Sequence, residues 1–146
     1  MFKGVVSLVV AFALVAVVGC GGGSDSSSLT KAEFSKQGNK ICAEATQARS
    51  KIVGEAVKNA DPKANQEDLQ VELIEKIVPT YESAAEKIGD LGAPKGEEEK
   101  VENLVGEMED AADRVMADPH TAAISNVPFR KADKVAQELG LKECVV

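Results

Sequence analysis

The chain has 146 residues, enough for one domain, and a formal net charge of −7 with 17 Lys and Arg against 24 Asp and Glu. An acidic chain with no basic stripe lacks the electrostatic footprint that holds a phosphate backbone, so nucleic acid is excluded as a partner. Aromatic residues make up only 3% and Trp is absent, so any core must be built from aliphatic side chains and alanine.

The N-terminus stands apart in composition. Met1-Phe2-Lys3 carries one positive charge, and Gly4 to Val18 is apolar apart from Ser7. As a helix this run would measure about 21 Å, short of the ~30 Å hydrocarbon core of a bilayer, which suits a signal peptide better than a permanent span. Val17-Val18-Gly19-Cys20 closes it, with Gly21-Gly22-Gly23-Ser24-Asp25-Ser26-Ser27-Ser28 following and no basic stop-transfer cluster.

These four residues resemble the lipobox of bacterial lipoproteins, with a branched apolar residue three positions before the cysteine and glycine just before it. The resemblance implies cleavage after Gly19 and a diacylglyceryl thioether, with further fatty acylation, on Cys20. Valine stands where leucine is most usual. The expected organisation is a signal peptide over 1–19, a lipidated cysteine and Gly/Ser tether over 20–29, and a helical domain over 30–146. Loss of Lys3 with the signal takes the net charge from −7 to −8. Such a domain is repelled by anionic lipid and is expected to stand off the surface.

Two cysteines remain, Cys42 and Cys144. An even remainder in an exported chain suggests a disulfide, closing a loop of about 100 residues. The alternative is a pair of buried free thiols behaving as small apolar side chains.

Helical periodicity runs through the rest. Thr30-x-x-Glu33 is a capping box, and Phe34, Ile41, Ala45, Ala48, Ile52 and Ala56 form the apolar stripe of a helix expected over Lys31 to Asn59. Asn65 offers the next N-cap; Leu69, Leu73, Ile77, Tyr81, Ala84, Ile88 and Leu91 make the second stripe. Pro79 sits inside it, costing about 3 kcal/mol, but the stripe stays in phase, so a kinked continuous helix is expected. Gly92 and Pro94 form a connection. Glu97 to Ala117 is the third helix, with Val101, Leu104, Val105, Met108, Ala111, Ala112 and Val115 inward and Asp118-Pro119 as its break. His120 to Ser125 reads as a short turn of helix or none. Asn126 and Pro128 open a short fourth helix whose stripe is Phe129, Ala132, Val135, Ala136 and Leu139. Gly140 ends it in the left-handed conformation, with Leu141 packing back.

No β-alternation appears, so the fold class is all-α: an up-down-up-down bundle of three long helices and one short one. That arrangement permits the disulfide. Cys42 lies ~17 Å above the start of the first helix, and the fourth helix descends far enough for a short extended tail to bring Cys144 level with it.

Leu29-Thr30-Lys31-Ala32-Glu33-Phe34, Asn39-Lys40-Ile41-Cys42, Leu91-Gly92-Ala93-Pro94 and Gly140-Leu141-Lys142-Glu143-Cys144 together resemble a group of uncharacterised small lipoproteins from actinobacteria. The likeness spans most of the mature chain. It implies an exported helical domain with paired cysteines and brings no activity with it.

Residues able to carry chemistry are few. His120 is the single histidine, follows a proline, and reads as a solvated loop residue. Met108, Met116 and His120 offer soft ligands, but the two methionines lie ~80° apart around their helix, so core packing is the better reading. Glu97, Glu98, Glu99, Glu102, Glu107, Glu109 and Asp110 lack EF-hand spacing and read as a solvated acidic face. No catalytic set, metal or cofactor is expected. The chain reads as an extracytoplasmic module, lipid-anchored at the cell membrane through Cys20, with a binding or structural role toward an envelope protein. The alternative is a carrier or sensor holding a small ligand, or a metal, between its helices; the motive is an alanine-rich core with few aromatics.

Overall fold

The computed structural model describes residues 29–120 and 127–146; the expected signal peptide, Cys20, the tether and the Asn126 cap lie outside the described residues. Four helices are described, α1 (Lys31–Asn59), α2 (Gln66–Asp90), α3 (Glu98–Ala117) and α4 (Arg130–Glu138), with short 3-10 turns at Val127–Phe129 and Lys142–Cys144. The described residues contain no strand, and none of their helices is long and apolar enough to cross a membrane. The fold is all-α, as the periodicity implies.

Local chemistry sets the ends of these helices. The Thr30 hydroxyl accepts from the Glu33 amide at 3.2 Å while the Thr30 amide donates to Glu33 Oε2 at 3.0 Å, so the capping box closes in both directions. Asn65 Oδ1 accepts from the Glu67 amide at 3.1 Å and starts α2. Helix α2 runs through Pro79 without interruption, and the Thr80 hydroxyl donates to the Ile77 carbonyl at 2.6 Å beside it. Glu97 takes the N-cap position of α3 but makes no side-chain cap; its carboxylate is engaged by two lysines instead. Residue 129, not 126, immediately precedes α4, because the 3-10 turn around Pro128 delays the helix.

The helices pack in sequence, α1 on α2, α2 on α3 and α3 on α4, and the turn at Lys142–Cys144 returns the chain to α1. The larger core cluster contains Phe34, Cys42, Ala84, Ala85, Ile88, Leu104, Met108, Ala132, Ala136, Leu139 and Leu141, and occupies the end where α1 begins. A second, smaller one joins Ile74 and Val78 of α2 to Ala112 and Val115 of α3, with Phe129 against it.

Burial refines the stripes. Helix α3 buries the side chains its pattern nominates, Val105 only partly. Helix α2 lies between α1 and α3, and its buried line includes Ile74, Val78 and Ala85, which flank the stripe read from the sequence. A central helix needs two apolar flanks, and a single stripe captures one. On α1 the buried residues are Phe34, Gly38 and Cys42, spaced by one turn, while Ile41, Ala45, Ala48, Ile52 and Ala56 are half-buried. The reason is that α1 packs chiefly on α2 and meets the rest of the bundle mainly near its start, through the larger core, the Lys31–Glu97 pair and the C-terminal turn.

Gly38 is where that turn presses closest. A Cβ built there would lie 2.6 Å from Leu141 Cδ2, and Leu141 is fully buried. Gly54, four turns further along α1, has open space instead. The same substitution therefore has opposite effects. Gly54→Ala is expected to raise stability by about 1 kcal/mol through helix propensity. Gly38→Ala gains the same propensity but must displace Leu141, an overpacking cost of roughly 1–3 kcal/mol, and is expected to lower stability. Thermal midpoints check this; a Gly38→Ala protein as stable as Gly54→Ala means that Leu141 is loosely held.

Candidate functional site

The two cysteines singled out by sequence meet. Cys42 and Cys144 are disulfide-bonded with Cα atoms 5.0 Å apart and a sequence separation of 102. The bond is the last part of a larger lock at the C-terminus. Gly140 has φ +76°, and beside it the Leu141 amide donates to Ala136 O at 2.8 Å and the Gly140 amide to Gln137 O at 3.1 Å. This is the Schellman arrangement, which requires the left-handed residue that glycine supplies. It leaves the Gly140 carbonyl facing α1, where Ser35 Oγ donates to it at 2.8 Å and Asn39 Nδ2 at 2.9 Å. Asn39 Oδ1 in turn accepts from the Glu143 amide at 2.8 Å. Asp133, a buried carboxylate on α4, accepts from the Val146 amide at 3.0 Å; burial raises its pKa, partly opposed by that hydrogen bond.

Two further constellations join the helices. Arg49 of α1 lies over the ring of Tyr81 at 4.1 Å, and Tyr81 stacks on Phe129 with centroids 4.9 Å apart. The sandwich ties α1, α2 and the entry to α4 together; burial pushes the Tyr81 phenol up, against the opposing charge of Arg49. At the lower end, Glu97 bridges Lys31 of α1 at 2.8 Å and Lys100 of α3 at 2.7 Å. Glu107 similarly holds Lys131 of α4 at 3.3 Å and Arg114 at 3.7 Å.

The remaining sequence candidates do not converge. Met108 is buried and Met116 is 44% exposed, on different faces of α3. His120 Nδ1 lies 3.4 Å from Glu67 Oε1, an ion pair only when the imidazole is protonated, linking the segment after α3 to the start of α2. Among the described residues no three His, Cys, Asp or Glu gather as ligands for a metal ion.

A concave feature with the size of a ligand site lies elsewhere. Between the last two turns of α1 and the first turns of α2 is an open groove of about 760 Å³, within the range of small-molecule sites. Ile52, Ala56, Ala60, Leu69 and Leu73 supply its apolar lining, and the 60–64 connection closes one end. Glu55, Asp61, Glu72 and Lys76 line it as well. Val57, also on the lining, is 73% exposed. The alanine-rich core that motivates a cavity in the sequence does not form it: Ala84, Ala85, Ala111, Ala112 and Ala136 are buried in packed contacts. The groove is lined by the parts of α1 and α2 that run beyond the larger core. No family model matches the chain, and neither a curated protein nor a solved structure shows a match to it.

Removing the disulfide tests the lock. The double substitution Cys42→Ala, Cys144→Ala is expected to lower stability by about 2–5 kcal/mol, read from the denaturant midpoint. A change under 1 kcal/mol overturns the reading, because Asn39, Ser35 and Leu141 would then hold the C-terminus unaided.

Glu97 gives a pH test. Its pKa is lowered from 4.5 to about 2, first by the hydrogen bond from Lys100 and then by that from Lys31. A carboxylate whose folded pKa is depressed stabilises the fold fully above its unfolded value and loses that contribution as pH falls toward the folded one. Thermal midpoints should therefore fall between pH 4.5 and about 2, and Glu97→Gln should flatten that part of the profile. Parallel profiles for the two proteins would show that the lysine pairs contribute nothing.

Proposed function

We propose that this chain is a lipid-anchored module of the cell envelope, on the extracytoplasmic face, with a binding or structural role and no catalytic activity. The observation that carries the reading is the Cys42–Cys144 disulfide. Such bonds persist in oxidising compartments and are rare in the cytosol, so the pair is consistent with export. The chain has three cysteines, and with two joined to each other Cys20 remains for the lipid. One acyl chain anchors marginally, whereas a diacylglyceryl group with a further acyl chain anchors stably.

The domain's order along the chain gives the anchor a consequence. Thr30 caps α1 ten positions after Cys20, and the groove lies at the other end of α1, a helix of 29 residues or about 43 Å. An anchor at Cys20 therefore leaves the groove at the end remote from the attachment. A second reading, a carrier or sensor of a small ligand, draws on the same groove, whose volume is that of a small-molecule site. A shallow structural surface would not need it.

The anchor is tested by Cys20→Ala. Metabolic labelling with a fatty-acid probe should be lost, and the protein should move from the membrane fraction to the soluble one. Unchanged labelling or retention refutes the lipid anchor.

A further inference from the structure

We propose that the α1/α2 groove binds a small cationic amphiphile, its apolar body on the helix faces and its positive group among the rim carboxylates. The inference rests on the small-ligand reading of the groove and names the ligand's class. It does not depend on how the chain is anchored.

Size comes first. The lining stretch of α1 from Ile52 to Asn59 spans about 11 Å of helix, as does Leu69 to Lys76 on α2, and the 60–64 connection stops the slot at one end. An open groove of that length and about 760 Å³ accepts a compact molecule. Ile52, Ala56, Leu69 and Leu73 present aliphatic surface that the second core cluster does not include. A ligand covering it removes apolar area from water, which is the favourable term.

Charge decides the polar end. Three carboxylates line the groove, those of Glu55, Asp61 and Glu72, against one cation, Lys76. That cation is already paired with Glu72 at 2.6 Å. Asp61 spends one oxygen on the Lys63 amide at 2.9 Å, which shapes the connection and leaves its negative charge in place. The other lysines of this end, Lys51, Lys58 and Lys63, do not line the groove. The rim is thus negative by two charges once Lys76 is set against Glu72. A positive group entering the slot gains Coulomb energy there, and an anionic one meets repulsion. These are solvent-facing charges, so the preference must fade with salt.

The test uses three probes with the same six-carbon chain: hexyltrimethylammonium, hexanol and hexyl sulfate. Each is titrated into the full chain held in phosphatidylcholine nanodiscs, with empty nanodiscs as the blank. Nanodiscs accept the N-terminal segment whether or not it is lipidated, so failure of the anchor shows in the Cys20→Ala assay and not here. The readout is methyl NMR. Saturable shifts are expected at Ile52, Leu69 and Leu73, with hexyltrimethylammonium about tenfold tighter than hexyl sulfate at low salt, hexanol between them, and the gap narrowing as salt is added. Glu55→Gln with Asp61→Asn should weaken the cationic probe severalfold and leave hexanol unchanged. Leu73→Gln should weaken all three probes, and the first pair of variants keeps the proposal testable if that protein fails to fold. Equal or reversed charge preference overturns the proposal. So do shifts centred on other methyls, or groove shifts that follow protein concentration without any probe, the signature of a second copy occupying the slot.

Discussion

The fold depends on how its last seven residues are fastened to its first helix. Among the described residues the four helices pack in a row, α1 on α2, α2 on α3 and α3 on α4. The turn after α4 closes that row by seating Leu141 on Gly38, passing the Gly140 carbonyl to Ser35 and Asn39, and joining Cys144 to Cys42. Each element requires the others. Gly140 must be left-handed for its carbonyl to face α1, Gly38 must lack a side chain for Leu141 to approach, and only then do the two sulfurs come within bonding range. The covalent bond spans almost the whole described domain, so it restricts the unfolded chain more than a local bridge would. That matters in a small domain whose aromatic residues are Tyr81, Phe34 and Phe129, where aliphatic burial alone gives a modest margin.

The lock also divides the molecule. Below the Arg49–Tyr81–Phe129 sandwich the helices are held by the larger core, the disulfide and the Glu97 bridge to α1 and α3. Above it, the last turns of α1 and the first of α2 have mainly each other and the 60–64 connection. Half-buried Ile52, Leu69 and Leu73 mark the point where the stripes continue beyond both core clusters of the described residues. Apolar surface left open among the described residues between two well-formed helices is surface available to another molecule. Stability is concentrated at one end and accessible apolar area at the other.

Much of this was legible in the sequence because it is governed by local chemistry. The Thr30–Glu33 box, the stop at Gly140 and the pairing of Cys42 with Cys144 follow from capping geometry, backbone permissiveness and cysteine parity. So does the continuity of α2 through Pro79, since a stripe that stays in phase gains more from packing than one lost hydrogen bond costs. What was not legible depends on which helix lies beside which. Ile74 and Val78 sit off the single stripe and are buried because α2 is central. Gly38 sits inside a helix, where glycine costs about 1 kcal/mol and often marks close packing, but nothing local names Leu141 as the contact. The groove was harder still. Alanine content suggested a void, yet small side chains here let helices pack closely, and the open volume sits where larger residues, Ile52, Leu69 and Leu73, lose their partners.

The separation between the two ends has an electrostatic consequence when Cys20 carries the lipid. The start of α1 is then the membrane-proximal end, and the groove begins about 32 Å of helix beyond it. Charges in solution are screened over about 8 Å at physiological salt, so the surface potential of anionic lipid does not extend over that distance. A cation near the groove therefore responds to Glu55, Asp61 and Glu72 and not to the bilayer. Had the same carboxylates been at the start of α1, they would compete with lipid headgroups for every cation and gain little selectivity. For a chain anchored at Cys20, the net negative charge would keep the domain off anionic lipid, and the length of α1 would carry the rim beyond the membrane's field. Selectivity at the groove then depends on its own few charges, and changing those charges is sufficient to change it.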